Sequence, residues 1–269
     1  MKNKIQALIL ASMAILNGCI PPLYHPGAVN APLCSHKGEL NVAGGLGSSG
    51  YEFQSSYSVS DNSAVIFNWS GGNKMHSDSW DESITTYDPV TNSYSNTSAH
   101  HEYSNGFKYN YAEGGYGFYL KPQAGKKLRA EIFGLIGAGA AEATNGSVNY
   151  DAKSSYLRYS IQGDIGWLGN ITEGAFSVRA GYLDFSSLQT TSYKDLSQGA
   201  WMRGSYDSFS EGSKTSLFID PAFTFRIGYK GVKLLTQLGY SVPANDAMAF
   251  GWDRTFSSLG LQFRINTSK

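Results

Sequence analysis

Residues able to do chemistry are few in this chain. His100-His101-Glu102 forms one cluster in a stretch rich in Ser and Asn, with His76, Asp78, Asp81 and Glu82 upstream. Imidazole beside carboxylate can activate a water for hydrolysis or ligate a transition metal. Either use needs the groups fixed on rigid elements, and no spacing here is diagnostic. The cluster therefore reads as solvated loop residues, with no catalytic set, no metal and no cofactor. Gly137-Ala138-Gly139-Ala140-Ala141 is not a phosphate loop, because no strand–turn–helix context follows it.

The second set of charges is patterned. Glu39, Glu52, Glu113, Glu131, Asp164 and Asp220 are matched by Arg129, Arg158, Arg179, Arg226, Lys233 and Arg264. All lie in or beside segments that alternate polar with apolar residues, the period of a strand with two unlike faces. Residues 154–168 are the clearest. Leu157, Tyr159, Ile161, Ile165 and Trp167 share one face; Arg158, Ser160, Gln162 and Asp164 share the other.

Ten such segments follow one another: 38–46, 50–59, 64–69, 106–120, 127–141, 154–168, 174–185, 214–229, 231–241 and 255–265. Several reach the ~9–11 residues of a tilted membrane strand. Short turns at 60–63, 121–126, 169–173 and near 231 alternate with long loops at 70–105, 142–153, 186–213 and 242–254. That asymmetry predicts an all-β, antiparallel transmembrane β-barrel of ten strands, with short periplasmic turns and long external loops. An even count returns both ends of the barrel to the turn side. The tip at Leu46–Gly50 is short where a long loop is expected. Within 70–105, residues 84–87 and 93–95 flank a Pro89 turn, which predicts a hairpin extending the sheet above the membrane.

Period two alone does not say which face is inside. The polar faces use Arg, Asp, Glu and Gln with little Lys, unlike a solvated face. Trp69, Tyr119, Trp167, Tyr229 and Tyr240 lie near predicted strand ends, as an interfacial girdle requires. The apolar face is therefore expected to meet lipid and the charges to line the lumen. A barrel this small can be filled by side chains. Six acids against six bases predict a lumen plugged by Arg–carboxylate pairs; a narrow water-filled channel is the alternative.

The ends of the chain add a location. Lys2 and Lys4 precede an apolar run, Ile5 to Leu16, too short to span a bilayer as a helix. Residues 1–18 read as a signal peptide. Leu16-Asn17-Gly18-Cys19 resembles the bacterial lipobox. The resemblance implies cleavage before Cys19 and diacylglycerol on its thiol. Residues 19–37 would then be a lipidated tether with Pro21, Pro22, Pro26 and Pro32, and 38–269 the barrel. Ser258-Leu259-Gly260-Leu261-Gln262-Phe263 resembles the C-terminal signal read by the barrel assembly machinery, but it stops six residues short of the last residue, Lys269. Asn30-Ala31-Pro32-Leu33, Lys37-Gly38-Glu39-Leu40 and Tyr111-Ala112-Glu113-Gly114-Gly115-Tyr116-Gly117 resemble the small outer-membrane barrel lipoproteins of Bacteroidetes, a family that implies location more than activity. Without Lys2 and Lys4 the chain carries 19 bases against 21 acids, so no basic field exists for nucleic acid.

The long loops suggest a role. Tyr193, Trp201, Met202, Arg203, Tyr206 and Phe209 stand among Ser and Gly in 186–213. Tyr, Trp and Arg are common anchors of protein contact surfaces. The expectation is a chain that is not an enzyme: a lipid-anchored structural or accessory subunit, in contact with outer-membrane lipids and a membrane-protein partner. A barrel-mouth hydrolase is the further alternative.

Overall fold

The computed structural model describes residues 22–120, 127–145, 150–186, 188–190, 215–244 and 252–267. The strands run β1 (Glu39–Gly47), β2 (Tyr51–Ser58), β3 (Ser63–Asn73), β4 (His76–Asp88), β5 (Ser93–Tyr119), β6 (Leu128–Asn145), β7 (Tyr150–Trp167), β8 (Thr172–Phe185), β9 (Gln189–Thr190), β10 (Thr215–Tyr229), β11 (Val232–Tyr240), β12 (Val242–Pro243) and β13 (Thr255–Asn266). Ten of them close an antiparallel barrel in the order β1, β2, β3, β5, β6, β7, β8, β10, β11, β13. The seam joins the first strand to the last, Glu39 opposite Asn266 and Gly47 opposite Ser258. Closure leaves no unpaired edge at membrane depth, where lipid offers no hydrogen bonds.

Alternation decides what each strand presents. Outward go Leu157, Tyr159, Ile161, Ile165 and Trp167 of β7, Leu217, Ile219, Phe223 and Ile227 of β10, and Leu259, Leu261, Phe263 and Ile265 of β13, all exposed. Inward go Arg158, Gln162 and Asp164, Asp220, Thr224 and Arg226, and Gln262, all buried. An apolar outside around a charged inside is the arrangement of a membrane barrel; a soluble barrel would invert it. Trp69, Trp167 and Tyr229 are exposed on the outer wall. Tyr119 is not part of the girdle. It shares the inward parity of Tyr109 and Tyr111, is buried, and donates its hydroxyl to the Ser60 carbonyl at 2.6 Å.

The long loop at 70–105 is largely strand. β4 pairs with the upper part of β5 from His76–Asn105 to Asp88–Ser93, a two-stranded ribbon continuous with the barrel wall. The hairpin foreseen at 84–95 is the tip of this ribbon. Asn92 at its turn has φ 49°, a left-handed conformation that Asn tolerates. The first hairpin is short: β1 and β2 are joined through residues 48–50. Gly50 there has φ 154°, and a Cβ on it would lie 2.3 Å from the Gly71 carbonyl oxygen, so no larger residue fits the tip.

Candidate functional site: the filled lumen

A polar lumen must satisfy its donors and acceptors, because each one left bare at membrane depth is costly. Much of that demand is met by an element of no secondary structure, the N-terminal segment from Pro22 to Lys37. Leu23, Tyr24, His25, Ala28, Val29, Asn30, Ala31, Leu33 and Cys34 are all buried. Residues taken from sequence as a tether ahead of the barrel run the length of its interior.

The segment suits the place. Pro22, Pro26 and Pro32 bring no N–H that would need a partner, and Gly27, Ala28 and Ala31 are narrow. The remaining backbone groups are met by side chains from the wall. Arg179 donates to the Gly27 carbonyl at 2.9 Å, and Glu52 accepts from Ala28 N at 3.2 Å. Gln237 both accepts from Val29 N, at 2.7 Å, and donates to its carbonyl, at 2.8 Å, as a strand neighbour would. Gln162 donates to the Asn30 carbonyl at 2.6 Å, Arg226 to that of Ala31 at 2.5 Å, and Arg264 to that of Pro32 at 3.2 Å. Glu131 accepts from Leu33 N at 3.0 Å and Cys34 N at 2.5 Å.

The charges fall into two groups around this segment. Toward the long loops, Glu113 is a hub. It accepts from Arg158 at 2.6 Å, Arg179 at 3.2 Å, Asn68 at 2.8 Å and the Tyr111 hydroxyl at 2.8 Å. Arg179 also reaches Asp220 at 2.9 Å. Arg158 donates to the Tyr24 hydroxyl at 2.8 Å and stacks over the Tyr111 ring at 4.3 Å. Toward the short turns the hub is Glu173, which meets Lys233 at 2.6 Å and Arg264 at 2.9 Å, with Arg226 at 3.9 Å. Arg264 also reaches Glu39 at 3.1 Å. Asp164 accepts from Gln162 at 2.9 Å. Arg129 is half-buried near the turn end, with one N–H on the Leu128 carbonyl at 2.9 Å.

Sequence reasoning missed Glu173, assigning it to a turn. β8 starts one residue before it, opposite Arg226 in register, and Glu173 shares the parity of Arg179. Parity would have found it. It also missed the segment's exit at the loop mouth. There Tyr24 bridges to Trp252, their rings 4.2 Å apart, and the Tyr24 carbonyl accepts from Asp253 N at 2.9 Å. His25 lies against the Phe107 ring at 3.8 Å, with Nδ1 3.2 Å from Ser49 Oγ and 3.3 Å from an Asp253 carboxylate oxygen.

The other sequence candidates lie elsewhere. His100 is on the exposed ribbon, its Nδ1 2.6 Å from Asp81. His76 and Glu102 stand opposite Asn105 and Ser79, and His101 opposite Trp80, in the same ladder. Among the described residues no three His, Cys, Asp or Glu side chains converge to hold a metal ion. Cys19, and Tyr193, Trp201, Met202, Arg203, Tyr206 and Phe209, fall outside the described residues.

No family model matches the chain, and no curated protein does. Among solved structures it is similar to the outer membrane enzyme PagL, at 10% identity, covering 84% of this chain and 98% of that one, with a TM-score of 0.29. That neighbour is an enzyme, against the expectation that the chain is not one, and the expectation is withdrawn.

Proposed function

We propose that this chain is an outer-membrane barrel lipoprotein, anchored through Cys19, whose lumen is occluded by its own N-terminal segment and which serves as a structural or accessory subunit of a membrane assembly. The occupied lumen carries this reading. A barrel whose axis is filled by residues 23–34, bonded to the wall along its length, is poorly suited to passing solutes. The apolar belt would contact outer-membrane lipids. The external ribbon and the loop at 186–213 would contact a membrane-protein partner, through Tyr and Ser rather than charge.

In planar bilayers the intact protein is expected to pass almost no steady current. Replacing residues 23–34 by a Gly/Ser segment of equal length should open it. A wild type that conducts steadily would favour the narrow channel instead. Purification in mild detergent should recover a partner; a lone monomer, with nothing cross-linked to it, would sink the accessory role.

A barrel-mouth hydrolase has one observation in its favour, the convergence of Ser49, His25 and Asp253 within hydrogen-bonding distance. The serine and the carboxylate both face His25 Nδ1. A nucleophilic relay instead places them on opposite ring nitrogens, so the ring would have to turn. Labelling of Ser49 by a fluorophosphonate probe would promote this reading, and its absence would retire it.

A further inference from the structure

Which side of the membrane holds the anchor follows from the direction of the threaded segment. The barrel begins at the short-turn end: Gly38 N donates to the Ser58 carbonyl at 2.8 Å, beside the 59–62 turn, and Thr267 N to the Gly38 carbonyl at 2.8 Å. Going backwards from there, Leu33 and Cys34 sit on Glu131, Val29 on Gln237, and Gly27 on Arg179. Tyr24 and His25 then meet Trp252, Asp253 and Ser49, which belong to the long-loop end. The segment thus crosses the barrel and leaves it on the side opposite to Gly38.

Cys19 precedes Pro22 by three residues, a span of at most about 11 Å when fully extended. The apolar band of such a barrel is about 25 Å tall. A lipid on Cys19 therefore cannot reach the leaflet at the short-turn end while the segment stays in the lumen. Withdrawing the segment would strip Glu52, Glu131, Gln162, Gln237 and Arg226 of their backbone partners.

The barrel rim offers a way out. The first hairpin is the short tip on the long-loop side, and its Ser49 touches His25 where the segment leaves. Leu46 and Tyr51, flanking that tip, are 61% and 64% exposed, an apolar outer surface against which acyl chains can lie.

We infer that the acyl chains on Cys19 lie in the outer leaflet, at the long-loop mouth beside the first hairpin, so that the lipid anchor is on the cell surface and the protein is held in the membrane from outside. This rests on the lipoprotein reading, and the test separates the two. Cells are fed an alkyne fatty acid, and Ile20→Cys is probed on intact cells with a membrane-impermeant maleimide, Cys34 being buried and silent. Val90→Cys in the external ribbon and Asn62→Cys in a short turn serve as controls, and heat-dependent gel mobility confirms that each variant folds. The expected result is fatty-acid label that is lost in Cys19→Ala, with Ile20→Cys reacting on intact cells like Val90→Cys while Asn62→Cys does not. Fatty-acid label with Ile20→Cys shielded until the outer membrane is opened overturns the surface anchor and leaves the lipoprotein intact. A reactive Ile20→Cys without any label overturns both lipidation and the anchor, leaving only the direction of threading.

Discussion

β5 carries two acid–base contacts of equal length into opposite surroundings. In its lower part Glu113 meets Arg158 at 2.6 Å, each side chain 1% exposed. In its upper part His100 meets Asp81 at the same 2.6 Å, with side chains 56% and 74% exposed. Separation is therefore not what distinguishes them. In the lumen both charges have given up water; Glu113 is held by three further donors, Arg179, Asn68 and Tyr111, and Arg158 by the Tyr24 hydroxyl and the Tyr111 ring. Removing one partner strands the rest. On the ribbon, water and salt screen the pair and replace whichever member is lost.

The largest effect is expected at the lumen hub. Glu113→Ala leaves Arg158 with the Tyr24 hydroxyl as its only hydrogen-bonded side chain among the described residues, and should cost on the order of 3–5 kcal/mol in urea unfolding followed by tryptophan fluorescence. A loss below about 1 kcal/mol would make the buried pair no better than a surface one and break the comparison. Next is the outer wall. Ile161→Arg puts a charge on the lipid face of β7 and should cost about 2–4 kcal/mol in the same measurement. A neutral outcome would mean that this face meets water. Gln237→Leu keeps the bulk of the side chain but leaves Val29 N and O without their partner, a loss of about 1–3 kcal/mol. If instead Gln237→Leu is silent while Glu113→Ala is not, the charged hub holds the barrel without help from the threaded segment. The smallest effect belongs to the ribbon: Asp81→Ala should change stability by at most about 1 kcal/mol, and less still in high salt.

The same contrast explains what could be read in advance. All ten barrel strands were legible, because a strand between lipid and a charged interior must alternate. Residues 76–83 and 96–105 were not, although they are as regular. Ser77, Ser79, Asp81 and Ser83 and, on the neighbouring strand, Asn96, Ser98 and His100 are exposed, and such a run of polar residues leaves no apolar–polar period to read. Tyr119 was taken for a girdle residue from its place near a strand end, when its parity with Tyr111 points it inward. Glu173 was lost by two residues of strand boundary. Ser49, His25 and Asp253 carry no mutual spacing at all; they come from the first hairpin, the threaded segment and the last loop.

The sequence by itself determined the wall: how many strands, which residues face outward, and that the inward faces carry charge. Those are properties of adjacent residues, set by a period of two and by the cost of placing charge in lipid. What fills the wall was decided only in three dimensions. Residues 22–36 have no periodicity and read equally well as a tether, since Pro and small residues suit both a free linker and a narrow interior. They are drawn inside because closing the barrel gathers Arg179, Gln237, Gln162, Arg226 and Glu131 from five different strands around one axis. Their donors and acceptors exceed what they can satisfy among themselves, and a backbone running along that axis satisfies much of the remainder.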